Sequence, residues 1–185
     1  MALSLRPWIS SMALVVLVAG APVSVSAGTS IVASGSPQIY VGAGASLSSI
    51  DTIQFTVPGA DVGTGAPVRG SENGVVTTTL IDAYARAPGN SHREAVLSVD
   101  SSQPLVCATP STCGSVTIPM TRFRWTVSGG EEIAPGAFNG TADQTLLSFR
   151  TSRYVFVYKT FFYANETIVP AGRYTGRVVY TLSMP

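Results

Sequence analysis

Charge is scarce in this 185-residue chain: 11% of the residues are charged, Lys159 is the single lysine and His92 is the single histidine. A nucleic-acid-binding protein needs a basic stripe that follows the phosphate backbone, and none is present. Catalysis by His92 would need a nucleophile and an orienting carboxylate, whereas this histidine adjoins a Pro-Gly-Asn turn. We therefore expect a solvent-facing turn histidine and no nucleic-acid partner.

Recognisable catalytic motifs are also missing. The chain contains no Gly-x-Ser-x-Gly, phosphate-loop or zinc-protease sequence. Glu131 and Glu132 are neighbours in a Gly-rich loop, whereas the two carboxylates of a glycosidase stand about 5–10 Å apart on opposite sides of a bond. Calcium binding by this loop, assisted by Asp143, is an alternative that lacks a fixed ligand spacing. The sequence predicts neither an enzyme nor a cofactor site.

The first 27 residues have the features of a secretory signal peptide. Arg6 is their only charge, an apolar run extends from Met12 to Ala21, and Val25-Ser26-Ala27 supplies the small residues of a cleavage site. The run is shorter than the roughly 20 residues that cross a bilayer as a helix. A buried helix of the mature domain is the alternative. The expected division is a signal peptide (1–27), an N-terminal extension (28–47) and a folded domain (48–185).

A signal peptide predicts export from the cytoplasm, to the cell surface or by secretion. The chain has 11 Lys and Arg residues against 10 Asp and Glu, and Arg6 lies within the leader, so its removal would leave the charges balanced. A net charge near zero weakens the repulsion between copies and favours self-association. No second apolar segment of membrane length follows, so we expect no membrane insertion of the mature chain.

The two cysteines, Cys107 and Cys113, are separated by five residues. In an exported chain such a pair is typical of a disulfide that closes a small hairpin loop. Two thiols without a nearby histidine make a poor zinc site, and the spacing excludes a C-x-x-C redox pair. The sequence predicts a structural disulfide.

Alternation of apolar and polar residues runs through the chain and is punctuated by Asn-Gly and Pro-Gly turns. In the clearest case Phe123, Trp125 and Val127 face one way, while Arg124 and Thr126 face the other. No window has a sustained helical period. This pattern predicts an all-β fold, an antiparallel β-sandwich of immunoglobulin-like or jelly-roll type. The expected strands cover residues 49–57, 75–85, 94–100, 123–127, 145–149, 154–163 and 174–184, and residues 58–73 are expected to form a long loop.

Two features raise the question of ligand binding. Arg122 and Arg124 share a face, and paired arginines can grip a sulfated or sialylated glycan; the alternative is a solvated strand face. Aromatic residues crowd the strand from Tyr154 to Tyr163. Because both faces of that strand carry apolar groups, we expect a central strand covered on both sides rather than a platform for sugars.

The C-terminal segment alternates cleanly. The segment is predicted to form an assembly strand. One face of this strand carries Gly172, Tyr174, Gly176, Val178, Tyr180, Leu182 and Met184. The segment resembles the end of bacterial chaperone–usher pilins, the fimbrial subunits, where an Ala-Gly-x-Tyr-x-Gly-type turn leads into a terminal strand read by a periplasmic chaperone. Gly172 stands where that family commonly has a glycine, while Met184 departs from the family's aromatic residue next to last.

The N-terminal extension is a second point of resemblance to pilins. Alternate apolar or small residues predict a donor strand, formed by Ile31, Ala33, Gly35, Ile39 and Val41. In pilins such an extension completes the incomplete sandwich of the neighbouring subunit by β-strand addition. Pro37 interrupts the segment, and the long-range disulfide usual in pilins is absent.

The resemblance implies a structural subunit of a surface fibre that passes through the periplasm to the cell surface. Its partners would be other copies of itself or related subunits, a periplasmic chaperone and an usher. A secreted β-sandwich module that binds a glycan or another cell-surface ligand is the alternative function.

Overall fold

The computed structural model describes residues 8–18, 38–42, 52–72, 75–76, 79–85, 93–129, 133–150 and 153–183. These ranges are built mainly of strands, which confirms the predicted all-β class, and they contain one short helix, α1 (Pro110–Cys113). The strands are β1 (Trp8–Val18), β2 (Gln38–Gly42), β3 (Thr52–Val57), β4 (Pro67–Arg69), β5 (Ser71–Glu72), β6 (Val75–Val76), β7 (Thr79–Ala85), β8 (Glu94–Asp100), β9 (Leu105–Cys107), β10 (Thr117–Ile118), β11 (Phe123–Ser128), β12 (Gly136–Ala137), β13 (Gln144–Arg150), β14 (Arg153–Ala164) and β15 (Gly172–Ser183).

The strands form two sheets. Within the described ranges the first sheet has nine strands, and in it β15 pairs with β8 and β9 as well as with β1. β1 also pairs with β3, and β8 with β13. The second sheet has six strands in the order β12-β11-β14-β7-β2, with β4 added beside the end of β14. The described pairs are antiparallel with one exception, the parallel pair of β1 and β3.

The core between the two sheets is aromatic. Phe55 of the first sheet contacts Phe123 and Tyr163 of the second, with ring centroids 5.2 and 6.5 Å apart. Trp125 and Phe161 meet edge to face at 6.4 Å. All five side chains are at most 4% exposed, and burial of a side chain of this size stabilises the fold by about 1.5–3 kcal/mol. The inward face predicted for β11 is therefore confirmed.

Residues 58–73, predicted as a loop, contain β4 and β5 as well as a 3-10 turn at Gly59–Asp61. Gly70 lies between β4 and β5 and allows this segment to pair with both sheets instead of forming a loop. Its N–H donates to the carbonyl of Phe161 at 2.8 Å in the second sheet, while the next residue, Ser71, pairs with Gln54 in the first. A Cβ on Gly70 would overlap Ile53, so only glycine lets the segment pass this close to the core. The predicted strand at 75–85 is found as β6 and β7, and residues 77–78 lie outside the described ranges.

The predicted disulfide between Cys107 and Cys113 is confirmed. Cys107 ends β9, Cys113 ends α1, and β9 pairs antiparallel with β10 around the enclosed loop. Gly114 terminates the helix at a φ of +63°, which favours glycine, and its N–H donates to the carbonyl of Pro110 at 2.8 Å.

We expect the double substitution Cys107→Ala/Cys113→Ala to lower the free energy of unfolding by about 2–3 kcal/mol, because the bond closes only a short loop in the unfolded chain. Urea unfolding followed by tryptophan fluorescence measures the shift in midpoint. Reduced wild-type protein should unfold at the midpoint of the variant. An unchanged midpoint in both would contradict a stabilising role for the disulfide.

Candidate functional site: a strand slot beside the C-terminal strand

β15 presents one fully buried face to the core. The buried side chains, each at 0% exposure, are Tyr174, Val178, Tyr180 and Leu182. Arg177, which lies between two of them in sequence, is exposed. The alternation predicted for the C-terminal segment is thus confirmed for its described residues, and this face forms one wall of the candidate site.

Two glycines allow other elements to approach β15 closely. A Cβ on Gly176 would lie 3.1 Å from Cα and Cγ of Leu105 and from Cε of Met120. A Cβ on Gly172 would lie 2.5 Å from Sγ of Cys113. The disulfide loop therefore packs directly on the start of β15, where Gly172 leaves no room for a side chain, and the contacts at Gly176 are tight.

β1 occupies a slot between β15 and β3. It runs antiparallel to β15 over all 11 of its residues, from Trp8 opposite Leu182 to Val18 opposite Gly172. On its other edge it runs parallel to β3, with Val16 opposite Phe55. Residues 8–18, which fall within the segment predicted as a signal peptide, therefore lie in the first sheet as a strand and do not form the helix considered as the alternative.

The core-facing side chains of β15 and β3 give the slot between these two strands apolar walls. Directly opposed residues of an antiparallel pair share a face of the sheet. The β1 residues opposite the core face of β15 are Trp8, Ser10, Met12, Leu14 and Val16. On the β3 side, Ile53, Phe55 and Val57 are at most 2% exposed. If the slot held no strand, these apolar walls and the backbone N–H and C=O groups at the facing edges of β3 and β15 would meet water.

A buried lysine lies in the core between the second sheet and β15. Lys159 of β14 is 0% exposed, and its Nζ stands 3.8 Å from the ring centroid of Trp125 and 5.8 Å from that of Tyr180. Among the described residues neither Lys159 Nζ nor Tyr180 Oη has a hydrogen-bond partner. Burial lowers the pKa of Lys159 to about 7 and raises the pKa of Tyr180 above its usual range. Cation–π attraction to Trp125 offsets part of the cost of burying the amine.

Sequence analysis missed the buried position of Lys159, although a signal was present. Lys159 has the same parity in β14 as Val155, Val157 and Phe161, which are at most 2% exposed. Strand alternation therefore places it inward, but a single lysine is ordinarily assigned to the surface because burial of an unpaired charge is costly. A charged residue at an inward-facing strand position was the signal that Lys159 is buried.

The two arginines predicted as ligand-binding residues have different surroundings. Arg122 ends a 3-10 turn (Met120–Arg122), and its Nη1 lies 2.7 Å from Oε2 of Glu166. Arg124 lies in β11 and is exposed on the outer face of the second sheet. Arg122 is thus engaged in an ion pair, and Arg124 is the member of the pair that faces solvent from a strand.

The predicted donor residues divide into two groups. Ile39 and Val41 lie in β2, which pairs with β7 of the same chain. The other three donor residues, Ile31, Ala33 and Gly35, lie outside the described residues. So do Met184 of the predicted assembly strand and the residues considered for catalysis, His92, Glu131 and Glu132.

Within the described ranges no group of three or more His, Cys, Asp or Glu side chains is placed to hold a metal ion. Over the same ranges no helix has the length and apolar character of a membrane span. No protein-family model matches the chain, and no curated protein matches it in sequence.

Proposed function

We propose that this chain is an exported structural subunit of a surface fibre, of the chaperone–usher pilin type, and that a strand from another copy completes its sandwich. The observation that carries the proposal is the position of β1. A segment with signal-peptide features fills a strand position between β3 and β15. In the proposal, cleavage after Ala27 on export removes this strand, and the slot stays incomplete until a partner strand enters.

A sandwich whose slot is empty is a poor monomer. The facing edges of β3 and β15 would present unpaired backbone groups, which are a template for pairing with another chain. The apolar walls, including Phe55 and Val178, would be exposed as a contiguous patch. Addition of one strand from a second chain satisfies the backbone and covers the walls at once. The balanced charge of the mature chain lets copies approach each other.

The donor in this proposal is the segment between the cleavage site and β2, residues 28–37. Because β2 pairs with β7 in its own chain, Ile39 and Val41 are held there. Of the five predicted donor residues, Ile31, Ala33 and Gly35 therefore remain for donation to another copy. The segment has about ten residues, close to the 11 of β1. A donor with the direction of β1 would set alternate side chains on the core face, as the period of a strand requires.

The proposal includes two further partners, which follow from the pilin resemblance. A periplasmic chaperone would hold the slot before assembly, and an usher would bring subunits together. The slot offers the chaperone the same two strand edges that it offers a second copy.

Two neighbouring substitutions in the extension test the proposal. The side chains of Ile31 and Ser30 would point to opposite faces of a donated strand. We expect Ile31→Asp to prevent assembly, because it places an unpaired carboxylate against the apolar walls of the slot, whereas Ser30→Asp should assemble like the parent. The measurement is the size distribution of the exported protein by size-exclusion chromatography and on unheated denaturing gels. Equal assembly of the two variants would contradict strand donation.

A further inference from the structure

The outer face of the second sheet carries exposed aromatic side chains, which corrects the expectation that the strand at 154–163 is covered on both sides. Phe156 is 43% exposed and Tyr158 is 40% exposed. Their neighbours Val155, Val157 and Lys159 are at most 1% exposed, so this part of β14 has one core face and one open face. Farther along the outer face, Thr160 is 8% exposed and Phe162 is half-buried. Among the side chains that the structure describes, no other aromatic residue is this exposed, and those of the first sheet are buried.

Phe156 and Tyr158 form an aromatic corner. Their ring centroids are 6.4 Å apart and their planes meet at 77°. Gly129, at a φ of +61°, lies against the second ring, since a Cβ there would be 3.1 Å from Cδ2 of Tyr158. Tyr158 is thus held from two sides while much of it stays open to solvent. A fixed ring with a polar hydroxyl suits a rigid ligand that has an apolar C–H face and a hydroxylated edge, which describes a sugar ring.

Two arginines flank an aromatic ring farther along the same face. Phe162 is paired with Arg69 of β4 on one side and with Arg124 of β11 on the other, and opposed residues share a face. Both arginines are exposed. At a strand spacing of about 4.8 Å, their backbones lie about 10 Å apart. The paired residues Thr126 and Thr160 lie between this row and the aromatic corner.

We propose that the outer face of the second sheet binds a sulfated oligosaccharide, with a sugar ring stacked on Tyr158 and sulfate groups held by Arg69 and Arg124. This inference goes beyond the assembly role and is independent of it, because β1, β3 and β15 belong to the other sheet. A guanidinium group offers parallel N–H donors to the oxygens of a sulfate.

The presence of two arginines favours this ligand over a sialylated one. Two cations on either side of Phe162 suit anions repeated along a sugar chain, whereas a sialylated trisaccharide carries a single carboxylate. The anionic groups of the ligand are therefore assigned to the end at Phe162, and its stacked ring to the end at Tyr158.

Isothermal titration calorimetry of the exported chain with a heparin-derived tetrasaccharide tests the proposal, and the desulfated tetrasaccharide and 3′-sialyllactose serve as the other arms. We expect binding of the sulfated probe that weakens with added salt. Tyr158→Ala and Arg124→Gln should each reduce its affinity at least about tenfold. Arg177→Gln, which changes an exposed strand arginine of the first sheet, is the matched control and should bind like the wild type. Circular dichroism confirms that each variant is folded.

Four results would overturn the proposal. The first is no binding of the sulfated probe by wild-type protein, and the second is binding of 3′-sialyllactose alone. The third is an equal loss of affinity in Arg124→Gln and Arg177→Gln, which would indicate nonspecific charge attraction. The fourth is unchanged sugar binding in Tyr158→Ala together with loss of self-association in sedimentation, which would assign this face to a contact between copies.

Discussion

Lys159→Met should stabilise the protein by about 4 kcal/mol at pH 7. The lysine amine is fully buried without a hydrogen-bond partner among the described residues, and its pKa falls from an ordinary value of 10.5 to about 7. Folding at pH 7 must therefore either release a proton or bury a charge. Methionine has a similar length, no charge, and a thioether that packs well against an aromatic ring such as that of Trp125. Urea unfolding of both proteins at pH 7 measures the difference.

The sign of the pH dependence follows from the lowered pKa. Between about pH 7 and 10.5 the unfolded chain holds a proton on Lys159 that the folded chain has released, so the stability of the wild type rises with pH across this window. Below pH 7 both states hold the proton, and the contribution is constant. Tyr180 acts in the opposite direction above pH 10, because its pKa is raised in the folded state. The gain from Lys159→Met should therefore shrink from about 4 kcal/mol at pH 7 to below about 1 kcal/mol at pH 10.

Arg177→Met is the control for loss of a positive charge. Arg177 is exposed on β15, so its replacement should change the free energy of unfolding by less than about 0.5 kcal/mol. A Lys159→Met protein that is no more stable than the wild type, or whose gain is the same at pH 7 and pH 10, would show that the amine is neither desolvated nor unpaired.

A chain that begins at Gln38 should not fold stably alone. It lacks both β1 and the extension 28–37, so no strand of its own remains for the slot. Four wall side chains, those of Ile53, Phe55, Val178 and Leu182, are at most 2% exposed, and their full exposure would cost about 6–12 kcal/mol. That loss is comparable to the entire stability of a typical domain, about 5–15 kcal/mol. We expect no cooperative thermal transition by circular dichroism, and aggregation through the exposed strand edges.

A synthetic peptide with the sequence of residues 28–37 should restore a cooperative transition to this truncated chain. The same peptide with Ile31→Asp should not, because it would bury an unpaired carboxylate. Cooperative unfolding of the truncated chain without any peptide would contradict an incomplete sandwich, whatever the peptides do.

Sequence alternation predicted the parts of the fold that depend on local pattern. The inward positions of Phe123 and Trp125 and the buried face of β15 follow from parity alone, and all are found as predicted. The pairing of Cys107 with Cys113 followed from their short separation. Parity also separated the two faces of β14, but the apolar character of Phe156 and Tyr158 suggested a covered face where the structure has an open one.

The slot could not be predicted because it depends on distant pairings. The segment of β1 is apolar at both odd and even positions, so it has no period that would indicate a strand. Its partners, β3 and β15, come from opposite ends of the domain. No local pattern specifies that a third strand lies between these two. The position of Gly172 against the disulfide loop is likewise a tertiary contact that a glycine in sequence does not reveal.

The most direct test of strand donation is a disulfide between two copies. One copy carries Ile31→Cys, and the other carries Val178→Cys, Tyr180→Cys or Leu182→Cys on the core face of β15, in separate co-expressions for export. Opposed residues of a strand pair have Cα atoms about 4.5–5.5 Å apart, within reach of a disulfide. Strand donation predicts a covalent dimer on non-reducing gels at one of the three positions and none with Arg177→Cys, which lies on the outer face. No covalent dimer at any of the three, or an equal yield with Arg177→Cys, would contradict it.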